Sequence, residues 1–273
     1  MDEDLSYFEV MNIDDDLQRN EMLYKFFDED SRLKSKFGMV EKLTTIREID
    51  KVINLNTKML DIGAGTGVYT INYADKVSEI YAFEPAENNF LKLNENLKNY
   101  NFNNVITKQL NSLELEILPD DYFDIVLLFG PLYHLSNKEH QLKTLNDAIR
   151  VCKNGGHIFI AFINHDMVPI TETYYNFNYF EKGAYNKETQ RVRNRPFIFF
   201  TIDESKSLVE ESGLKIESII ASDGFSELLS EKIEKMSYVA YENYLQWHFN
   251  HCKNKELLGA TNHLLFVTKN IKY

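Results

Sequence analysis

Three glycines at alternate positions, Gly63, Gly65 and Gly67, stand directly behind the short apolar run Lys58-Met59-Leu60-Asp61-Ile62, and no other feature limits the fold of this chain so tightly. Glycine reaches positive φ at little cost and carries no Cβ. The backbone can therefore turn sharply and press against a ligand at the N-terminus of the helix that follows. A tight turn alone is the bland alternative, but three glycines directly after a buried strand favour close approach of a ligand.

Strand and helix patterns alternate from that point on. Ile80-Tyr81-Ala82-Phe83-Glu84 reads as a second strand and Val105-Ile106-Thr107 as a third, with Phe90, Leu93, Leu97 and Tyr100 on one helical face between them. Phe123 to Phe129 is almost continuously apolar, as expected of a central parallel strand buried on both sides. Ser136 and Glu139 are predicted to form a capping box for a helix whose buried stripe is Leu142, Leu145 and Ile149. Gly155 and Gly156 then precede a strand at His157–Phe162. Such alternation builds a mainly parallel sheet covered by helices on both faces, an α/β fold.

Four segments follow from these patterns. Residues 1–55 read as a helical extension, with Leu23, Phe26 and Phe27, and later Val40, Leu43, Ile46 and Ile49, at helical spacing. Residues 56–165 hold the glycine loop and the first five strands. Residues 166–200 break the alternation; nine aromatics between Tyr174 and Phe200 mark an insertion. Residues 201–273 resume the core with a capped helix at 203–212, a strand near Leu214–Ala221, a helical insertion at 225–256 and a final strand Leu264-Leu265-Phe266-Val267.

Composition narrows the partners. With 273 residues, 44% of them hydrophobic, the chain can bury a substantial core. No stretch approaches a membrane span, and Met1-Asp2-Glu3-Asp4 lacks the basic end of a signal peptide, so a cytoplasmic protein is expected. Two cysteines, Cys152 and Cys252, are too few for a disulfide framework. A net charge of −12 argues against a broad nucleic-acid surface. The charge is uneven: residues 1–30 carry eleven acidic side chains against two basic ones, whereas 182–195 carries Lys182, Lys187, Arg191, Arg193 and Arg195 against Glu188. That basic stretch keeps RNA or a protein tail as minority partners beside a small molecule. The sequence does not fix an oligomeric state.

The segment Leu60-Asp61-Ile62-Gly63-Ala64-Gly65-Thr66-Gly67, the acidic Glu84 placed 21 residues after Gly63, and the strand ending Phe129-Gly130-Pro131-Leu132-Tyr133-His134 together resemble the class I S-adenosylmethionine-dependent methyltransferases. The likeness spans about residues 57–165 and, more loosely, 201–269. It implies a Rossmann-like methyltransferase fold with an antiparallel last strand, an N-terminal helical extension and lid insertions, and S-adenosylmethionine as cofactor. It places Asp61, Gly63, Ala64, Gly65 and Gly67 around the methionine part, with Phe129 and Gly130 at the central strand's end. Glu84 would accept hydrogen bonds from both ribose hydroxyls, with Pro85 beside it. Where many relatives hold the adenine amino group with Asp, this chain has Asn111-Ser112, and the Asn carbonyl can still accept that bond. The Gly130–Leu135 segment resembles bacterial enzymes acting on small molecules.

The cofactor's sulfonium is already a strong electrophile, so the protein must align the acceptor, exclude water and take up any released proton. Tyr133 and His134, just past the central strand, are the catalytic candidates. Tyr24, Arg32, Tyr133, His134, Tyr175 and Tyr179 are the candidates for binding a small-molecule methyl acceptor. An aromatic cage over a planar or cationic acceptor is expected from 166–200 together with 225–256. Other chemistries fit less well. Phe129-Gly130-Pro131-Leu132 is not the Asp-Pro-Pro-Tyr type of DNA amino methyltransferases, neither cysteine stands where cytosine C5 chemistry needs one, and no three-cysteine cluster serves a radical enzyme. A nicotinamide-dependent oxidoreductase shares the strand, loop and acid but ordinarily wants a glycine where Val68 stands. A non-catalytic domain that senses the cofactor is the remaining alternative. No metal is expected: His248, His251 and Cys252 share helical spacing without a fourth ligand, which favours packing.

Overall fold

The computed structural model describes residues 6–26 and 29–272, with backbone alone for Phe8, Glu29 and Asp30. Phe27 and Asp28, read above with the N-terminal helices, and Met1 to Asp4 lie outside the described residues.

The sheet is built from strands β1 (Lys58–Ile62), β2 (Glu79–Phe83), β3 (Val105–Lys108), β4 (Phe123–Leu128) and β5 (Cys152–Asn164). A short hairpin, β6 (Tyr185–Asn186) with β7 (Arg191–Val192), stands apart, and β8 (Phe199–Phe200), β9 (Lys215–Ala221) and β10 (His263–Lys269) complete the set. The order across the sheet is β3-β2-β1-β4-β5-β10-β9, with β8 pairing the end of β5. The first five strands pair in parallel, and β10 runs antiparallel to both β5 and β9. This is the Rossmann-like methyltransferase arrangement expected from the sequence, antiparallel last strand included.

Alternation along each strand explains how both faces are filled. Leu60, Ile62, Val126, Leu128, Ile158 and Ile160 pack on one side against Leu145, Ala148 and Leu208 of the helices Lys138–Val151 and Ile202–Glu211. Met59, Ile80, Ile125, Leu127 and Phe159 pack on the other against Ile49, Tyr73 and Leu93. A strand such as Phe-Asp-Ile-Val-Leu-Leu, buried on both faces, can sit only in the middle.

Three local expectations are corrected. The helix Lys138–Val151 is capped by Asn137, whose side chain accepts from the Glu139 N–H, and not by Ser136. Ser136 instead donates its N–H and hydroxyl to Asp16 Oδ2 at 2.7 and 2.9 Å. Gly155 and Gly156 lie inside β5, which starts at Cys152; Gly155, at φ +82°, donates to the Asn270 carbonyl there. The stretch 225–256 holds two helices, Ser230–Glu234 and Tyr238–His251, because Ser237 caps a fresh start. Residues 6–49 fold as Tyr7–Met11, Asp16–Leu23, Glu29–Lys34 and Lys36–Ile49. Among the described residues no helix is long and apolar enough to cross a membrane.

Candidate functional site

The carboxyl ends of β1, β2, β4 and β5 open into a cavity of about 680 Å³. Open parallel sheets place their ligand crevices at this edge. The glycine loop forms one wall. Gly63, Gly65 and Gly67 all have positive φ, at 76°, 56° and 90°. The Gly63 and Ala64 N–H groups donate to the Phe83 carbonyl, which ties the turn to β2. A Cβ at Gly65 would meet no atom within 4 Å, so open space lies over that residue. At Gly67 it would strike Leu93 Cδ1 at 2.5 Å. Gly67 therefore serves close packing at the start of the helix Val68–Tyr73 and does not line the cavity, unlike Asp61, Gly63, Ala64 and Gly65.

Two buried carboxyls hold this wall. Glu84, 3% exposed, accepts from the Gly65 N–H at 2.8 Å and the Ala86 N–H at 3.0 Å. Burial raises it to about 7 in spite of those bonds. Asp61 accepts from the Thr70 hydroxyl at 2.7 Å, and burial raises it to about 6. Pro85, Asn111 and Ser112 line the cavity beside them. Asn111 Oδ1 already accepts from the Leu113 N–H at 2.8 Å, leaving one lone pair, and the Ser112 hydroxyl is bonded to Thr144. Phe129 stands edge-on to Tyr69 with ring centres 4.8 Å apart, and Gly130 begins the helix Pro131–His134.

The opposite wall joins that helix to the N-terminal segment. His134, 6% exposed, shares a 2.8 Å hydrogen bond between Nε2 and the Tyr24 hydroxyl, while its buried Nδ1 has no partner among the described residues. Burial, aided by the nearby Arg19 charge, drives its pKa down to about 3, so the ring is neutral. Tyr133 donates its hydroxyl to the Phe129 carbonyl at 2.6 Å. Arg19, fully buried, was missed by sequence reasoning. Its guanidinium donates to Ile13, Pro196 and His134 carbonyls and to Asp16 Oδ1. One arginine thus ties the helix Asp16–Leu23 to the strand end and to the insertion.

The remaining expected residues divide. Tyr179, 5% exposed, lines the cavity. Tyr175 does not: it is 61% exposed and its hydroxyl donates to Glu227, itself a wall residue. Tyr174, Phe177 and Phe180 are exposed as well and line no part of the cavity, so the aromatic faces that residues 166–200 bring to it are those of Tyr179, Phe197 and Phe199. Arg32 reaches the wall with Nη2 2.8 Å from Glu41 Oε2. His263, at the start of β10, also lines the cavity and was likewise missed; its Nδ1 lies 2.8 Å from Asp223 Oδ2. A lone His beside Asn262 carries no signal in sequence. The basic stretch is partly neutralised: Arg191 pairs with Glu204, Arg195 pairs with Asp14, and Arg193 bonds Asn12.

A family model described as a methyltransferase domain matches residues 35–219. Ubiquinone/menaquinone biosynthesis C-methyltransferase UbiE of Vibrio vulnificus is 31% identical over 174 residues, 58% of this chain and 64% of that protein. The chain spans between 49% and 64% of the lengths of the curated relatives it matches. Among solved structures, an S-adenosylmethionine-dependent methyltransferase of Methanosarcina mazei superposes with a TM-score of 0.53 at 13% identity, over 82% of this chain and 97% of that one. Phosphoethanolamine N-methyltransferase 1 of Haemonchus contortus, in complex with phosphoethanolamine and S-adenosylhomocysteine, superposes with a TM-score of 0.61 at 12% identity, over 98% of this chain and 50% of that one. At such identities these structures speak for the fold alone. With the family model covering well over half of its length, the chain belongs to the methyltransferase-domain family, as a class I enzyme whose cofactor is S-adenosylmethionine.

Proposed function

We propose that this enzyme methylates a small-molecule acceptor held in the cavity that runs from the glycine loop to Tyr133 and His134. The observation that carries this reading is the single space of about 680 Å³ lined both by Gly63, Gly65 and Glu84 and by Tyr24, His134 and Tyr179. That volume lies within the roughly 300–1,000 Å³ usual for small-ligand sites. The paired arginines of the 182–195 stretch weaken the case for a polyanion such as RNA.

In this reading Asp61, Gly63, Ala64 and Gly65 hold the methionine part of the cofactor. Glu84 and Pro85 hold the ribose, Asn111 and Ser112 the adenine, and Phe129 and Gly130 border the sulfur. Gly67 contributes only the turn. Bound S-adenosylmethionine supplies an electrophilic methyl group. The chain's own residues orient the acceptor against it and exclude water. Neutral His134 shares Nε2 with the Tyr24 hydroxyl and so fixes that phenol where it can orient the acceptor. Residues 1–55 act as a lid, 56–165 as the cofactor half, 166–200 as an acceptor-side insertion, and 201–273 as the rest of the core. The contacts of Asp16 with Ser136, of Glu21 with the Glu87 N–H, and of Arg19 with Pro196 support the lid.

Incubation with methyl-labelled S-adenosylmethionine and a fractionated cell extract tests this reading. Label should enter the small-molecule fraction. Label in RNA or protein, with none in small molecules, would overturn it.

A further inference from the structure

The cavity contains a second histidine in a setting opposite to that of His134. His263 is the first residue of β10 and pairs in register with Ile163 near the end of β5, which puts it on the cavity wall. Its Nδ1 lies 2.8 Å from Asp223 Oδ2 and 3.5 Å from Glu41 Oε2. Asp223 is itself fixed: its Oδ1 accepts from the His263 N–H and the Thr261 hydroxyl, and the residue is 2% exposed. Both acids therefore stand on the Nδ1 side. With Nδ1 held by Asp223, Nε2 is the ring atom left for the cavity.

We infer that His263, oriented by Asp223, recognises the methyl acceptor through Nε2–H, and that the acceptor carries an oxyanion: a phenolate, enolate or carboxylate oxygen. This rests on the small-molecule reading above and names the class of substrate. Burial works against a charge on His263, but Glu41 and Asp223 outweigh both that and Arg32, and its pKa rises to about 9. At neutral pH Nε2 thus carries a proton, and a charged N–H is a stronger donor than a neutral one. The four charged groups here, Arg32, Glu41, Asp223 and His263, balance. The cluster consequently offers one directed donor and no excess charge. Among other acids on the wall, Glu227 is engaged by Tyr175 and Glu172 is exposed. The cavity's two histidines divide the work: His134 is neutral and His263 a cationic donor, the separation of titration ranges that marks acid and base partners.

Three flat isosteres test the assignment: benzoate, benzamide and benzamidinium, titrated by calorimetry into protein saturated with S-adenosylhomocysteine. At neutral pH benzoate should bind at least about tenfold more tightly than either of the others. His263→Gln keeps a neutral donor and should erase that preference while affinity for S-adenosylhomocysteine stays unchanged. In the wild type the preference should fade as pH passes about 9. Equal affinities, a preference for benzamidinium, or a preference that survives His263→Gln would overturn the inference. Failure of the wild type to bind S-adenosylhomocysteine would overturn it together with the cofactor assignment beneath it. If His263→Gln fails to fold, the imidazole ¹⁵N resonances of wild-type His263 decide: a shift of Nε2 on adding benzoate supports the assignment, and an unmoved signal refutes it.

Discussion

Tyr24 and His134 stand 110 positions apart in the sequence and meet through a 2.8 Å hydrogen bond between the phenol and Nε2. The bond closes the N-terminal helices onto the end of the central strand. It also satisfies one nitrogen of a buried ring whose other nitrogen has no partner among the described residues. Tyr24→Phe would leave the imidazole wholly unsatisfied. Denaturant unfolding should report a loss of about 1–3 kcal/mol. A loss well below that range would mean that water takes the phenol's place.

Glu84 should make cofactor binding pH-dependent. Between its ordinary 4.5 and about 7 the folded chain holds a proton that the unfolded chain has lost, so the free enzyme loses stability as pH rises through that window. Asp61, raised to about 6, adds the same sign at lower pH. Ribose hydroxyls donate to the charged carboxylate, so binding expels the Glu84 proton. Affinity for S-adenosylhomocysteine should climb by at most about tenfold per pH unit below 7 and then level off. Glu84→Gln should flatten that slope and cost about 1.5–3 kcal/mol of binding above it. A flat calorimetric profile in the wild type would remove Glu84 from the ribose site.

The glycines of the loop should separate binding from stability. Gly65→Val meets open space, so the variant should fold, with a backbone penalty of about 1–2 kcal/mol for its positive φ, and lose most of its cofactor affinity. Gly67→Ala drives a methyl into Leu93 and should lower the melting temperature first. Thermal melts with and without S-adenosylhomocysteine distinguish the two; equal ligand-induced shifts in Gly65→Val and the wild type would contradict this division.

Arg19→Met should unlatch the lid. It strips Asp16 of its ion-pair partner and leaves the Ile13 and Pro196 carbonyls short of a donor, a loss of about 3 kcal/mol. Because those contacts are confined to one side of the cavity, hydrogen exchange should quicken in residues 16–23 and near 133–136 while β1 and β4 stay protected. Uniform acceleration would indicate that Arg19 supports the whole core.

Tyr175 and Tyr179 should part company. Tyr179→Ala opens the cavity wall and should weaken acceptor turnover with cofactor affinity intact. Tyr175→Ala should leave turnover within about twofold of the wild type, since exposed side chains usually tolerate truncation. A larger effect at Tyr175 would mean that the insertion closes further in the working enzyme.

The wall built by the glycine loop was legible because its signals are local. A buried strand, glycines that need positive φ and an acid one strand later all lie within 27 residues, from Lys58 to Glu84. The acceptor wall was not. Arg19 sits among acidic neighbours and reads as a solvated surface residue, and only the meeting of three distant segments buries it. His263 and Asp223 approach through the pairing of β9 with β10, which no spacing in sequence announces. Tyr175 and Tyr179 look alike in sequence, and only the turn between the helices Val168–Tyr175 and Tyr179–Lys182 sends one ring outward and the other in.

The place of β10 between β5 and β9 bears on how the chain is made. Synthesis delivers the glycine loop and Glu84 before β10, which follows the other nine strands in chain order, and β9 pairs with no other among the described residues. Until β10 arrives, β5 presents a bare edge and the cavity lacks Asn262, His263 and Leu265. A nascent chain can therefore shape the glycine-loop wall long before it has the wall opposite. An unfinished copy is open to strand exchange with its neighbours, and it cannot turn over.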